Sequence, residues 1–430
     1  MTRDYDVIIV GAGPAGSSAA VSLSGSGMSV ALLDRESFPR EKVCGDGLTH
    51  DVIKQLGMIS PAMLESFHRE VPKIRAEGVE IISPSHRSLY VPMIFGSESR
   101  PIHACNRRDL DAFLLEHARR TGGVTVFENC ACTGIKPGKD HVELETTQGS
   151  FTARMLLGCD GINSMVRRSM GIAELPWKNV CISMRTYYRD VRPLRSSNPI
   201  EIYILNGILP GYLWIFPLPG GMANVGVGIT ATAVRARKMN LRKIFEELLA
   251  SEPLKSRLAG ALRDGPVKGY NLPLGGAGRP VSGERFLLAG DAAALVDPLT
   301  GEGVGNAIRS GRVAAQHIRD SFLADDFSAN FNLRYDRELS RRMSSEFRFH
   351  TLLRNLFRNA PMVNFLVNAP WTFPSIEARL NRYVTGLDLG KPFQGIGFLL
   401  RISYCYLILN PLFRLFPGLT SRRHDTPAIK

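Results

Sequence analysis

Asp6-Val7-Ile8-Ile9-Val10-Gly11-Ala12-Gly13-Pro14-Ala15-Gly16 is the stretch whose reading decides the fold. A short run rich in β-branched residues meets a glycine turn. Small residues follow, Ser17-Ser18-Ala19-Ala20-Val21-Ser22-Leu23, and then a second apolar run, Val30-Ala31-Leu32-Leu33, ending in Asp34. The pattern predicts strand, glycine turn, helix, strand, acid. Gly11 permits the tight turn, Gly13 lets backbone approach a pyrophosphate, and Gly16 lets the helix lie close on the strand. The helix N-terminus, with Ala15 in its first turn, offers N–H groups and a positive dipole end to phosphate. Asp34 is spaced to accept from ribose hydroxyls, with Arg35 beside it. A glycine-rich turn in an unrelated fold is the competing reading. The flanking strands and the acid argue against it.

The 430 residues suffice for two or three domains and a large core. Hydrophobic and charged fractions of 44% and 22% are ordinary, whereas a net charge of +13 is not. Residues 331–430 hold fifteen Lys/Arg against six Asp/Glu, so most of that excess sits in the last hundred residues. Such an excess suggests an anionic partner, whether nucleic acid, a phosphate-bearing substrate or an anionic membrane, but on charge alone a plain solvated basic face is the favoured reading; no nucleic-acid partner is expected. Seven cysteines with no C-x-x-C pair argue against a disulfide framework or a zinc site. The first strand begins almost at once, so no secretory leader and a reducing cytoplasm are expected.

Further strands are predicted near 124–127, 142–146, 155–160 and 285–291, and helices over 49–56, 109–118, 241–262 and 304–322. Alternating patterns over 70–95 and 180–230 predict an antiparallel sheet. The nucleotide unit is thus expected as segments 1–70, 100–178 and 270–330. A substrate sheet is expected from 71–99 and 179–269, and a helical region over 331–430.

Three loops carry the chemistry. Asp160-Gly161-Ile162-Asn163-Ser164-Met165-Val166-Arg167 has the form D-G-x-x-S-x-x-R. Gly290-Asp291 ends another strand, and Pro298-Leu299-Thr300-Gly301-Glu302-Gly303 follows. Together with the opening unit they resemble the flavoprotein class typified by p-hydroxybenzoate hydroxylase. That resemblance, over roughly residues 5–320, implies an α/β chain with a glutathione-reductase-like, FAD-binding Rossmann domain and an inserted antiparallel substrate sheet. It implies that Gly11, Gly13, Gly16 and Asp34 hold the adenosine diphosphate half. Arg107, in the pattern ending at Asp111, would lie near the cofactor. Asp160 and Asp291 are the class's two acids, and N–H groups around Gly301 and Gly303 would face a reduced, anionic flavin ring.

Within that class, Pro39-Arg40-Glu41-Lys42-Val43-Cys44-Gly45-Asp46-Gly47 and Tyr212-Leu213-Trp214-Ile215-Phe216-Pro217 are similar to two signatures of the geranylgeranyl reductase family. In a strand Tyr212, Trp214 and Phe216 share one face, which forms an apolar wall for a hydrocarbon chain. Core packing is the alternative. Reducing an isolated alkene needs a hydride at one carbon and a proton at the other. A thiol of pKa about 8.5 carries its proton at neutral pH, so Cys44 is the candidate donor or pocket-former, with Tyr212 as fallback. The resemblance implies a reductase of polyprenyl double bonds on a lipid, quinone, pigment or diphosphate, with NAD(P)H or another reductant reloading FAD. A monooxygenase or halogenase on the same scaffold is the second reading, and a non-catalytic lipid-binding flavoprotein the third. Residues 393–419 are apolar, yet their longest uncharged run is about twelve residues, short of the roughly twenty needed to span a bilayer. A helix lying at the inner face of the membrane and a helix packed on the protein's own core are the two readings open there.

Overall fold

The computed structural model describes residues 2–95, 98–276 and 279–372. The helix expected over 393–419, at the membrane surface or on the core, lies outside the described residues. Among those described, no helix is long and apolar enough to cross a membrane.

The chain builds two large sheets. In the first, Thr2–Val10 lies between Val30–Leu33 and Gly149–Gly158, parallel to both. Val124–Phe127 adds a parallel edge to Val30–Leu33. Phe286–Leu288 pairs parallel with the end of Gly149–Gly158, while Val142–Thr146 and Cys132–Pro137 extend its start as antiparallel strands. Val7, Ile8, Ile9, Leu32, Leu33, Leu156 and Leu157 are all fully buried, as a sheet covered on both faces requires. Helices Pro14–Ser22 and Val304–Ala324 pack on each other here. A Cβ on Gly311 would stand 2.1 Å from the Ala15 carbonyl oxygen, so glycine lets these two helices touch.

The second sheet has seven strands in the order Leu262–Pro273, Val180–Arg189, Met222–Thr230, Gly211–Leu218, Ile200–Tyr203, Gly78–Ile82 and Ser88–Pro92. All its pairings are antiparallel except the one between Ile200–Tyr203 and Gly78–Ile82. A small sheet of Gly47–Leu48, Ile102–Ala104 and Ile74–Ala76 lies beside the two.

The single helix expected over 241–262 does not form. Leu241–Leu249 and Leu254–Arg257 are separate helices, and Leu262 already begins the twelve-residue edge strand. Pro253 explains the break, since it has no N–H to donate within a helix. The edge strand also runs across the boundary expected at residue 270. The helix expected from 331 begins earlier, as Ala329–Leu356. It belongs to the first core: Tyr335, Leu339, Met343 and Phe347 are buried there, and the Tyr335 hydroxyl donates to the Leu288 carbonyl at 2.8 Å. Each such side chain contributes roughly 1.5–3 kcal/mol by leaving water.

Candidate active site

The glycine turn is built as its sequence demands. Gly11 has φ +100°, and a Cβ there would lie 2.4 Å from the Cys159 carbonyl oxygen. A Cβ on Gly16 would lie 1.9 Å from the Gly11 carbonyl oxygen. Gly13 differs: its φ is −71°, and its missing Cβ would meet nothing nearer than an Arg40 nitrogen at 3.6 Å. Packing therefore does not require glycine at 13, and the space in front of it is open. Gly13 caps helix Pro14–Ser22, whose first turn has no side-chain cap and no acid. Asp34 accepts from the Ala12 N–H at 2.7 Å and from the Glu36 N–H at 3.0 Å, so it braces the turn.

This turn opens onto a cavity of about 1230 Å³ between the two sheets. Gly11, Gly13, Ala15, Asp34, Arg35, Cys44, Gly45, Arg107, Asp160, Asp291, Gly301 and Gly303 all line it, and so do Tyr212, Trp214 and Phe216. One space thus holds these residues singled out from the sequence; Gly16 lies outside its lining, packed against the Gly11 carbonyl. The aromatic side chains stand in a row, with ring centres 6.1 Å and 6.2 Å apart. Register carries the same face onward: Ile202 pairs with Trp214 and Ile81 with Ile202. Ile200, Ile202, Ile204, Val79 and Ile81 extend the wall as an aliphatic surface. On the other side Ser183, Arg185 and Tyr270 line the cavity with polar groups.

Several expected roles change in detail. Asp160 spends its carboxylate on the helix that follows it. Oδ1 accepts from the Ser164 hydroxyl, and Oδ2 from the Met165 and Val166 N–H groups at 2.6 and 3.2 Å. The D-G-x-x-S pattern is therefore a helix cap at the cavity edge. The N–H groups of Gly301 and Glu302 are taken within their own loop, by the Asp297 carbonyl and the Thr300 hydroxyl. Helix Val304–Ala324 starts beside this loop, with Gly303 as its N-cap and no side-chain cap. The Tyr212 hydroxyl donates to the Thr300 carbonyl, and burial pushes its pKa up. Tyr212 thus ties the aromatic strand to that loop.

Arg107 is buried and forms a two-pronged ion pair with Asp111 at 2.8 and 2.9 Å; Arg40 reaches the same carboxylate at 3.2 Å. Burial works against the Arg107 charge, but Asp111 and the neighbouring Cys44 hold its pKa well above the ordinary value. The Cys44 thiol therefore has a permanent cation beside it.

Sequence reasoning passed over three side chains. Lys42 lies over the Tyr270 ring at 3.2 Å, and burial lowers its pKa to about 8 despite Asp291 nearby. Asp46 is fully buried, with its pKa raised by burial to about 6; it accepts from Asn224, Tyr187 and the Arg107 N–H. Asn224 was signalled only by being the one amide in the apolar strand Met222–Thr230.

A family profile described as FAD binding domain matches residues 4–205, and one described as geranylgeranyl reductase catalytic domain matches residues 179–259. Menaquinone reductase of Mycobacterium tuberculosis is 32% identical over 349 residues, covering 76% of this chain and 82% of that protein. The chain belongs to the geranylgeranyl reductase family of FAD-dependent oxidoreductases. Another relative is the digeranylgeranylglycerophospholipid reductase of Thermoplasma acidophilum, 26% identical over 348 residues, with 79% of this chain and 84% of that protein covered. Among solved structures, a geranylgeranyl bacteriochlorophyll reductase-like protein from the same organism superposes with a TM-score of 0.78 at 20% identity, over 97% of this chain and 100% of that one. The halogenase PltM in complex with phloroglucinol and FAD gives 0.72 at 18% identity, over 96% of each chain. Both likenesses are of fold. The open cradle at Gly13 and the uncapped helix start behind it fit the diphosphate of the family's cofactor.

Glu302, in the loop of this family member that faces the cavity, gives a pH test. Burial and the nearby Asp51 raise its pKa to about 8, while its carboxylate accepts from the Gly305 N–H at 2.5 Å. An acid with a raised folded pKa stabilises the fold at low pH and loses that contribution as pH climbs from its unfolded value, about 4.3, through 8. Glu302→Gln keeps the neutral shape at every pH. Urea titration of the apoprotein is expected to show the variant gaining on wild type by on the order of 1–2 kcal/mol between pH 5 and 9, discounted for partial exposure. A pH-independent difference would refute the assignment.

Proposed function

We propose that the chain reduces carbon–carbon double bonds in the polyprenyl tail of a lipophilic substrate, most naturally a prenylated quinone. The carrying observation is the continuity of one cavity from the glycine cradle, past Cys44, to the aromatic row and the aliphatic wall. The relative with a quinone substrate in its name supports the choice within the prenyl class. We read the whole as a glutathione-reductase-like nucleotide fold carrying an inserted substrate sheet.

Gly11, Gly13, Gly16 and Asp34 would hold the adenosine diphosphate half, with Asp291 and the start of helix Val304–Ala324 further along the cofactor. FAD, reduced by NAD(P)H or another donor, supplies the hydride. The protein's residues do the rest. The row of Tyr212, Trp214 and Phe216 holds the flat alkene, and Ile200, Ile202, Ile204, Val79 and Ile81 take the tail and exclude water. Cys44 holds the proton for the second carbon at Sγ, and Arg107 beside it steadies the thiolate that remains.

A hydroxylase working on a small aromatic would have little use for an aliphatic wall. Organic extraction of the purified protein, followed by mass analysis, is expected to yield a prenyl lipid. A bound aromatic acid or phenol without a prenyl chain would overturn the substrate class.

A further inference from the structure

Asn224 sits fully buried in an apolar strand, where an amide costs free energy unless it is paired. It has three partners from two separate parts of the chain, the aromatic strand and the Cys44–Asp46 loop. The Trp214 indole N–H donates to Oδ1 at 2.9 Å. Nδ2 donates to the Cys44 carbonyl at 2.7 Å and to Asp46 Oδ2 at 2.8 Å. These roles are chemically fixed: an indole only donates, and a carbonyl and a carboxylate accept. A carboxamide alone offers one acceptor end and two N–H groups in this space; aspartate and leucine are its isosteres but lack the donors.

The indole is held on its other face as well. It lies across Gly226, where a Cβ would come within 2.2 Å of its ring. The Cys44-Gly45 turn rests against the same indole and Phe216, since a Cβ on Gly45 would be 3.4 and 3.3 Å from them. Asp46 brings in the Tyr187 hydroxyl at 2.9 Å, and Glu41 of the same loop pairs with Arg185 at 2.6 Å. The loop that carries the thiol is thus fastened to the substrate sheet, with Asn224 at the centre of the fastening.

This matters for a prenyl chain because its successive double bonds are chemically alike. Two C–H bonds replace the π bond at each reduction. One forms with the hydride from the reduced cofactor, which is oxidised by two electrons; the other forms with a proton. Nothing in that chemistry selects one unit of the chain over the next, so selection falls to position. Resting on the reductase reading, we propose that Asn224 is a positioning residue that holds the Cys44 loop and the Trp214 indole as one rigid unit, and so fixes which double bond is reduced.

The test uses the FAD-loaded full chain with a tetraprenyl menaquinone. Asn224→Asp keeps the shape, removes both N–H donors and sets a second carboxylate against Asp46. Combining it with Asp46→Asn exchanges donor and acceptor and restores that bond. We expect Asn224→Asp to retain FAD and to be bleached by dithionite at the wild-type rate. Its rate of prenyl-tail saturation, measured without oxygen and with the quinone ring reoxidised in air before mass analysis, should slow about 10²-fold, the loss that a displacement of about 1 Å brings. Its product should spread over two or more prenyl units by tandem mass spectrometry. The double variant should recover at least tenfold in rate and a single saturated unit. Wild-type rate and a single product in an FAD-loaded Asn224→Asp would overturn the proposal, as would loss of FAD in both variants, which would make Asn224 purely structural. A wild-type enzyme that saturates no prenyl double bond would instead strike the reductase reading itself.

Discussion

Gly13→Val is expected to leave the apoprotein folded and to abolish FAD retention. Most glycine-turn substitutions fail to separate these outcomes, because the new side chain breaks the turn. At Gly11 and Gly16 it would, with backbone oxygens 2.4 and 1.9 Å from the added Cβ. At Gly13 φ is −71° and the added atoms enter the cavity, where only an Arg40 nitrogen lies within 4 Å. The folding cost should be about 1 kcal/mol, that of valine replacing glycine as a helix N-cap. The two γ-carbons would occupy the space a pyrophosphate needs, and affinity should fall at least 10³-fold, about 4 kcal/mol. Equilibrium dialysis against FAD and the urea midpoint of the apoprotein check both halves. A yellow Gly13→Val variant would contradict the cradle.

Asp111→Ala is expected to be among the most damaging single changes to stability. Its carboxylate answers two guanidinium groups, Arg107 at 2.8 Å and Arg40 at 3.2 Å, and the Arg107 side chain is only 7% exposed. Removing the anion leaves a buried cation facing a second cation, which typically costs about 3–5 kcal/mol. Asp111→Asn should lie between the two, since it still accepts one bond. Urea denaturation of the apoprotein measures this. A loss below about 1 kcal/mol would mean that Arg107 reaches water by some route the packing around it does not show.

What the sequence disclosed follows from how local each signal is. The opening turn was legible because strand, glycines, helix and Asp34 fall within one continuous unit whose geometry the residue types dictate. The aromatic row was legible because alternation in a strand fixes a shared face. Asp160 was located but its work was not, because an acid four residues before Ser164 can face a ligand or cap a helix, and only the fold decides. Apolar spacing over 241–262 reads as one helix, and the single Pro253 within it breaks that helix. Asn224 and Asp46 are 178 positions apart. No local pattern announces that two lone polar groups, each unexplained in its own segment, are each other's partners.

Reduction of a prenyl tail requires that a reduced cofactor and a prenyl double bond meet in this one cavity. The most direct measurement mixes the dithionite-reduced enzyme, freed of excess reductant, with a tetraprenyl menaquinone in the absence of oxygen. Reduced flavin can also reduce the quinone ring, which adds two hydrogens as well, so the ring is returned to the quinone in air before mass analysis. The yellow absorbance should return in step with a product whose prenyl tail is two hydrogens heavier. A flavin that stays bleached until oxygen is admitted, with oxygen then found in the product, would contradict the reductase reading.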